Sequence, residues 1–274
     1  MLKSILVFLL AASALVAGPA AAQFDHSHAA FTALLKKHVV LVNGGRASQV
    51  RYAGLAQDRA ALKAYLDAVS RVGEAEFRGW TKPQQLAFLI NAYNGYTLEL
   101  ILQRYPNLKS IRDFGWLPFN SIWKKKWFAL FGRETSLDGI EHDMIRAPGV
   151  YDDPRIHFAV NCASIGCPML REEAYVADRL DAQLDQQVER FLGDRRRNRV
   201  NAAGELEVSR IFDWYKGDFN KGLRGIPSSE AFFARYAQQL ADQPDQRKIV
   251  SDGKAPIRFL EYDWSLNDVQ EARY

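Results

Sequence analysis

Cysteine is scarce in this chain. Two Cys, three Met and five His occur in 274 residues, too few thiols for a disulfide-stapled miniprotein. The 18 Gly and 10 Pro follow no triplet period and gather in no long tract, which excludes a collagen-like repeat and a disordered chain. No charge of one sign dominates. The 36 Lys and Arg are interleaved with 32 Asp and Glu, so the formal +4 does not form the basic face of a nucleic-acid binder. After the first segment no apolar run approaches the roughly 20 residues that span a bilayer. No internal repeat and no long linker is present.

What remains is 48% hydrophobic and 12% aromatic, the composition of a globular chain with a sizeable core. Residues 1–22 are set apart. Lys3 gives a positive start, residues 5–17 form a short apolar run, and Ala20-Ala21-Ala22 supplies small residues for a peptidase. This pattern predicts a secretory signal peptide cleaved after Ala22, with export to the periplasm or medium. No Cys follows the run, which argues against a lipoprotein. The rest divides into an N-terminal helical segment (23–49), a main domain (50–267) and a tail (268–274).

The main domain reads as α+β: a helix-rich single domain packed on a small, mainly antiparallel sheet. Residues 58–70 predict a helix capped by Asp58, with Leu62, Tyr65, Leu66 and Val69 inward. Residues 81–106 carry the strongest helical periodicity, from Thr81 and Pro83 to Pro106. Residues 178–192 predict another amphipathic helix. Arg155–Asn161 reads as a buried strand after Asp-Asp-Pro, residues 198–208 as a hairpin turning near Gly204, and residues 256–264 as a late strand. The basic clusters 123–127 and 195–199 are solvated faces; the first, flanked by Trp123 and Trp127, offers weak contact with an anionic surface. His26 and His28 are expected in a flexible tail. The aromatics Trp214, Tyr215, Phe219, Phe232, Phe233 and Tyr236 are expected in the core.

Residues 136–168 concentrate the chemistry: both Cys and two of the five His. Cys162 ends the expected strand and enters a turn of small residues. Free backbone N–H groups there would lower a thiol pKa and supply oxyanion donors. Cys167 follows five residues later, so a Cys162–Cys167 disulfide, a reactive thiol and two inert thiols are all open. Asp138 with Glu141 suits a capping box. His142 then lies near a helix start, where the neutral imidazole is favoured, as a general base requires. His157 is a second candidate partner. Asn91 and Asn94 share one side of the strongest helix without a capping role. They would hydrogen-bond a loop backbone or orient an imidazole. Without HExxH or paired CxxC, a metal site from His142, His157 and Cys162 is the weaker rival. No cofactor is implied.

The ordered blocks LAFLINAYNGYTLELIL, SIRDFG, SLDGIEHDMIR, DPRIHFAVNCASIGCP, RIFDWYKGDFN and EYDWSLND resemble the DUF547 family over residues 50–267. The resemblance implies a fold similar to papain-like or transglutaminase-like thiol enzymes, with a Cys–His–acid site. It maps the family's IEH motif onto Ile140-Glu141-His142 and its strand-end cysteine onto Cys162. Plant members lack counterparts of Cys167 and His157, which favours pairing Cys162 with His142. Many relatives have Gly where Ala163 stands, and His before Cys requires a permuted papain order. The expected chemistry is acyl transfer on a peptide-like amide or thioester. Cys162 is the nucleophile, His142 the base and Glu141 the orienting acid, with Arg155 holding a substrate carboxylate. Neighbouring helical residues point about 100° apart, which sets Glu141 against orienting His142. The rival is a non-catalytic periplasmic binding or interaction protein with a Cys162–Cys167 disulfide.

Overall fold

The computed structural model describes residues 23–115, 117 and 121–269. The expected signal segment and its cleavage site lie outside the described residues. Helix α1 (Ala29–His38) leads into an antiparallel hairpin of β1 (Val39–Val42) and β2 (Ala47–Val50). Four helices follow: α2 (Tyr52–Gln57), α3 (Arg59–Arg71), α4 (Glu74–Gly79) and α5 (Lys82–Leu102). The sequence of α5 explains its place. Thr81 and Gln84 close a reciprocal capping box and Pro83 occupies the first turn, so the start is sharply set. Every residue from Gln85 to Leu102 is buried, and a helix apolar on all sides belongs at the centre of a core. Helix α3 approaches it closely at Gly95, where an added Cβ would lie 3.0 Å from Leu66.

Strands β3 (Phe128–Leu130) and β4 (Arg133–Thr135) form a second hairpin, followed by a π-helical turn, Gly139–Ile145. After α6 (Leu180–Leu192) come β5 (Arg199–Val200) and β6 (Leu206–Val208), antiparallel to each other. Short helices α7 (Ile211–Trp214), α8 (Lys216–Phe219), α9 (Ser229–Arg235), α10 (Ala237–Leu240) and α11 (Pro244–Ser251) then lead to β7 (Ile257–Phe259). Strand β7 lies parallel to β6. The fold is α+β and helix-rich, with mainly antiparallel strands that form, among the described residues, three small sheets rather than one. That arrangement does not establish a papain-like outline. One apolar core surrounds α5; another is built on Phe158, Phe191, Phe212, Phe219 and Phe232.

Three expectations need correction. Residues 155–161 are not a strand: Pro154–Phe158 is a 3-10 turn, because Asp153 caps it through the Arg155 N–H and Pro154 pre-sets its first residue. Asp58 makes no cap hydrogen bond; its carboxylate instead meets Lys37 and His38. His28 is not in a flexible tail. It is buried, with Nδ1 2.8 Å from the Tyr65 hydroxyl, and His26 packs edge-on against Trp80.

Burial pushes the His28 pKa down to about 4. The folded value is below the unfolded one near 6.5, so the stabilisation is complete above pH 6.5 and is lost as pH falls towards 4. Chemical denaturation of His28→Gln should therefore show a flatter acid limb than the wild type, by up to roughly 3 kcal/mol at pH 4. Thr81→Ala, which opens the capping box on α5, should cost about 1 kcal/mol in the same assay at pH 7.

Candidate active site

A cleft of about 210 Å³ opens where the two cores meet. It is lined from one core by Tyr93 and Trp123 and from the other by Ile211, Tyr215 and Tyr262. Cys162, Cys167, His142, His157, Asp138 and Glu141 all face it. The tertiary structure thus gathers most of the residues singled out from residues 136–168.

The thiol turn is held on two sides. On one, Asn94 of α5 accepts the Asn161 N–H at 2.8 Å and donates to the Ala159 carbonyl at 2.9 Å. On the other, the N–H groups of Ile165 and Gly166 donate to the Ser265 and Asp263 carbonyls. Gly166 makes this crossing possible, since an added Cβ would stand 3.0 Å from the Asp263 backbone. Ala163 takes the left-handed conformation, φ 60°, which costs a non-glycine residue of order 1 kcal/mol. Within the turn the Cys162 N–H donates to Cys167 Sγ at 3.0 Å and the Ala163 N–H to Asn161 Oδ1. The Cys167 N–H donates to the Ser164 carbonyl. The backbone donors expected to cradle an oxyanion are therefore largely engaged inside the turn.

Both thiols are free, so the disulfide alternative is not the form seen. Cys162 Sγ lies 3.1 Å from Ser164 Oγ and 3.3 Å from the Tyr262 hydroxyl, which are 3.1 Å from each other. The Cys162 thiol is shifted down, first by its hydrogen bond with Cys167 and, against burial, by those with Ser164 and Tyr262. Burial pushes Cys167 up. The pair is polarised, with ionisation favoured at Cys162, the less buried of the two.

The two imidazoles have different surroundings. His157 Nε2 lies 2.8 Å from Asp218 Oδ2, and its ring stacks on Tyr215 at 3.9 Å. Nδ1 is buried without a hydrogen-bond partner. Burial, against the pull of Asp218, keeps the imidazole pKa low. Asp218 also receives Arg146 Nε at 2.6 Å and Lys221 Nζ at 2.8 Å. Burial alone would raise its carboxyl, but these donors hold it far below the carboxylate range. With Asp218 ionised, Nε2 of His157 carries the proton and Nδ1 keeps its lone pair. His142 is more exposed. Its Nδ1 meets the Arg146 guanidinium, and its Nε2 is 3.6 Å from Asp138. Neither imidazole is hydrogen-bonded to Cys162 among the described residues.

Residues 77–192 match the family model described as "Protein of unknown function, DUF547". This stretch, less than half of the chain, is similar to the DUF547 family. No curated protein and no solved structure matches it. The DUF547 match runs from α4 to the end of α6 and includes both cysteines, both cleft histidines and the two asparagines.

Several expected roles change, and one pair of alternatives, at Asn91 and Asn94, is decided. Glu141 neither caps a helix nor orients His142: Asp138 makes no cap hydrogen bond, Ser136 Oγ accepts the Gly139 N–H, and Glu141 Oε1 accepts the Tyr215 hydroxyl at 2.7 Å. Asn91 and Asn94 hold backbone rather than an imidazole; Asn91 is paired with both polar groups of the Tyr175 backbone. Arg155 is not free for a substrate carboxylate, being buried against Asp153, Asp181 and Asp185. Trp214 is 46% exposed beside the cleft instead of in the core. Asp218, Tyr262 and Ser164 were missed. Asp218 and Tyr262 sit inside RIFDWYKGDFN and EYDWSLND, so the signal was in those blocks, but nothing local marked these two side chains. Among the described residues no group of three or more His, Cys, Asp or Glu is arranged to hold a metal ion.

Asn94→Ala leaves a buried N–H and a buried carbonyl unpaired. It should lower stability by about 2–4 kcal/mol in urea denaturation and loosen the thiol turn, read as faster hydrogen exchange at Asn161. Unchanged exchange there would mean that the turn is held without α5.

Proposed function

We propose that this protein is a thiol-dependent hydrolase or acyl transferase acting on a peptide-like amide or thioester, with Cys162 as the nucleophile. The observation that carries this reading is a down-shifted thiol in the same cleft as an imidazole fixed by an ionised carboxylate. The geometry favours His157 over His142 as the base. The lone pair at His142 Nδ1 is turned on Arg146, whereas Nδ1 of His157 has no partner and Asp218 sets its tautomer.

His157 takes the proton from Cys162, and the thiolate forms an S–C bond to the substrate carbonyl. The C–N or C–S bond to the leaving group breaks, and that group departs with the proton from His157. Water or an acceptor amine then cleaves the thioester, and the thiol is restored. Tyr262 and Ser164 stabilise the thiolate by hydrogen bonding. The residue 1–22 pattern supports export of the protein before it acts, and N-terminal sequencing of the mature chain should then start at Gln23.

Incubation with a panel of activated esters and thioesters, read by intact and peptide mass spectrometry, tests the site. An acyl adduct is expected on Cys162 and absent from Cys162→Ala. His157→Gln should slow acylation by about 10²–10⁴-fold, Asp218→Asn should also slow it, and His142→Gln should have the smaller effect. An adduct on Cys167, or equal rates with and without His157, overturns the assignment. Saturable ligand binding in this cleft with no adduct would instead support the non-catalytic binding reading.

A further inference from the structure

The charged side chains lining the cleft are all of one sign. Asp138 and Glu141 face it, and among the described residues no Lys or Arg does. Glu141 is engaged with the Tyr215 hydroxyl. Among the described residues the Asp138 carboxylate has no hydrogen bond: the His142 imidazole Nε2 is 3.6 Å away, beyond hydrogen-bond range. The cations near the wall are committed or solvated. Arg146 and Lys221 bind Asp218, Arg112 already lies over the Trp264 ring, 5.2 Å from its centroid, and Lys124 is exposed.

The walls are aromatic. Trp214, Tyr262 and Trp264 touch one another, with ring centroids 4.6–5.7 Å apart, and Trp123 meets Trp264 edge-on at 6.0 Å. Ring faces attract cations and repel anions. Tyr215 already carries the Arg146 guanidinium over its ring at 4.9 Å. A positive charge entering the cleft meets ring faces and a carboxylate whose nearest partner, His142 Nε2, stands 3.6 Å away, whereas a negative charge meets two carboxylates.

We propose that the cleft selects a cationic substrate, an acyl donor carrying an ammonium or guanidinium group close to the reacting carbonyl, with Asp138 as the charge-recognising residue and Trp214, Tyr262 and Trp264 as its platform. This rests on the acyl-transfer reading of Cys162. Burial, with Glu141 and against the pull of His142 and Lys124, raises the Asp138 pKa, so a cation beside it would relieve part of that cost.

Three methanethiosulfonates of similar size and different charge separate the two ideas: trimethylammonioethyl, ethyl and sulfonatoethyl. In each, the Cys162 thiolate displaces methanesulfinate and forms a mixed disulfide, and mass spectrometry localises the product. After division by the rates of a free thiol, the cationic reagent should outpace the neutral one by about tenfold and the anionic one by more. Asp138→Asn should lower the cationic-to-neutral ratio at least about threefold, and added salt should lower it too. A wild-type ratio within about twofold of the free thiol's, or a ratio indifferent to Asp138→Asn, overturns the proposal. Slow reaction with the neutral reagent counts against the acyl-transfer reading alone.

A second measurement does not use the thiol. Benzyltrimethylammonium should change the tryptophan fluorescence saturably, and benzylsulfonate should not. The response should be lost in Trp214→Ala and weakened in Asp138→Asn. Equal responses to the two ligands reject a cation-selective cleft whether or not Cys162 reacts.

Discussion

The site depends on one buried amide. Asn94 sits on α5, a helix enclosed by protein along almost its whole length, and its side chain pairs with the backbone on both sides of residue 160. A loop that runs through the interior has polar groups that water cannot reach, so each needs a partner from the protein. Asn94 supplies two such partners from a fixed position, and Asn91 does the same one turn earlier for Tyr175. The chain on either side of the thiol turn is thereby tied to the core. The crossing at Gly166 closes the other side. Cys162 is held by a frame that has little freedom to move, which is what a reacting group needs.

The electrostatics follow from that placement. The two thiols line the same cleft with unlike surroundings: Cys162 is half-buried and ringed by hydroxyl and thiol donors, and Cys167 is the more deeply buried. Ionisation is steered to one sulfur without a nearby fixed positive charge. Across the cleft Asp218 collects three donors and so stays charged, while His157 stays neutral because its ring is buried. The pairing leaves the His157 Nδ1 lone pair buried without a hydrogen-bond partner, on a residue that lines the same cleft as Cys162. The acids on the cleft lining and the aromatic walls then decide what kind of molecule can approach.

Much of the frame was legible in the sequence because it is local. The periodicity of residues 81–106 and the Thr81–Gln84 pair define α5 by contacts three and four residues apart. The same holds for α6 and for the hairpin at Gly204. The strand read into Arg155–Asn161 failed because an alternating apolar pattern is shared by a strand and by a short buried turn, and Asp153 with Pro154 settled it for the turn. The capping box at Asp138 failed for a related reason: the two residues have the right types, but Ser136 reached the N–H group and Tyr215 reached Glu141.

Residue types and short spacings determined by themselves that Cys162, His142 and His157 belong to one chemically dense segment, and that Asn91 and Asn94 face the same way. Which histidine has a carboxylate, which cysteine is polarised, and what lines the cleft were decided only by the tertiary structure. His157 and Asp218 are 61 residues apart, and Cys162 and Tyr262 are 100 apart. Hydrogen bonding and desolvation act over a few ångströms of space, whatever the separation along the chain. No pattern within one segment can therefore specify partners that folding brings from another.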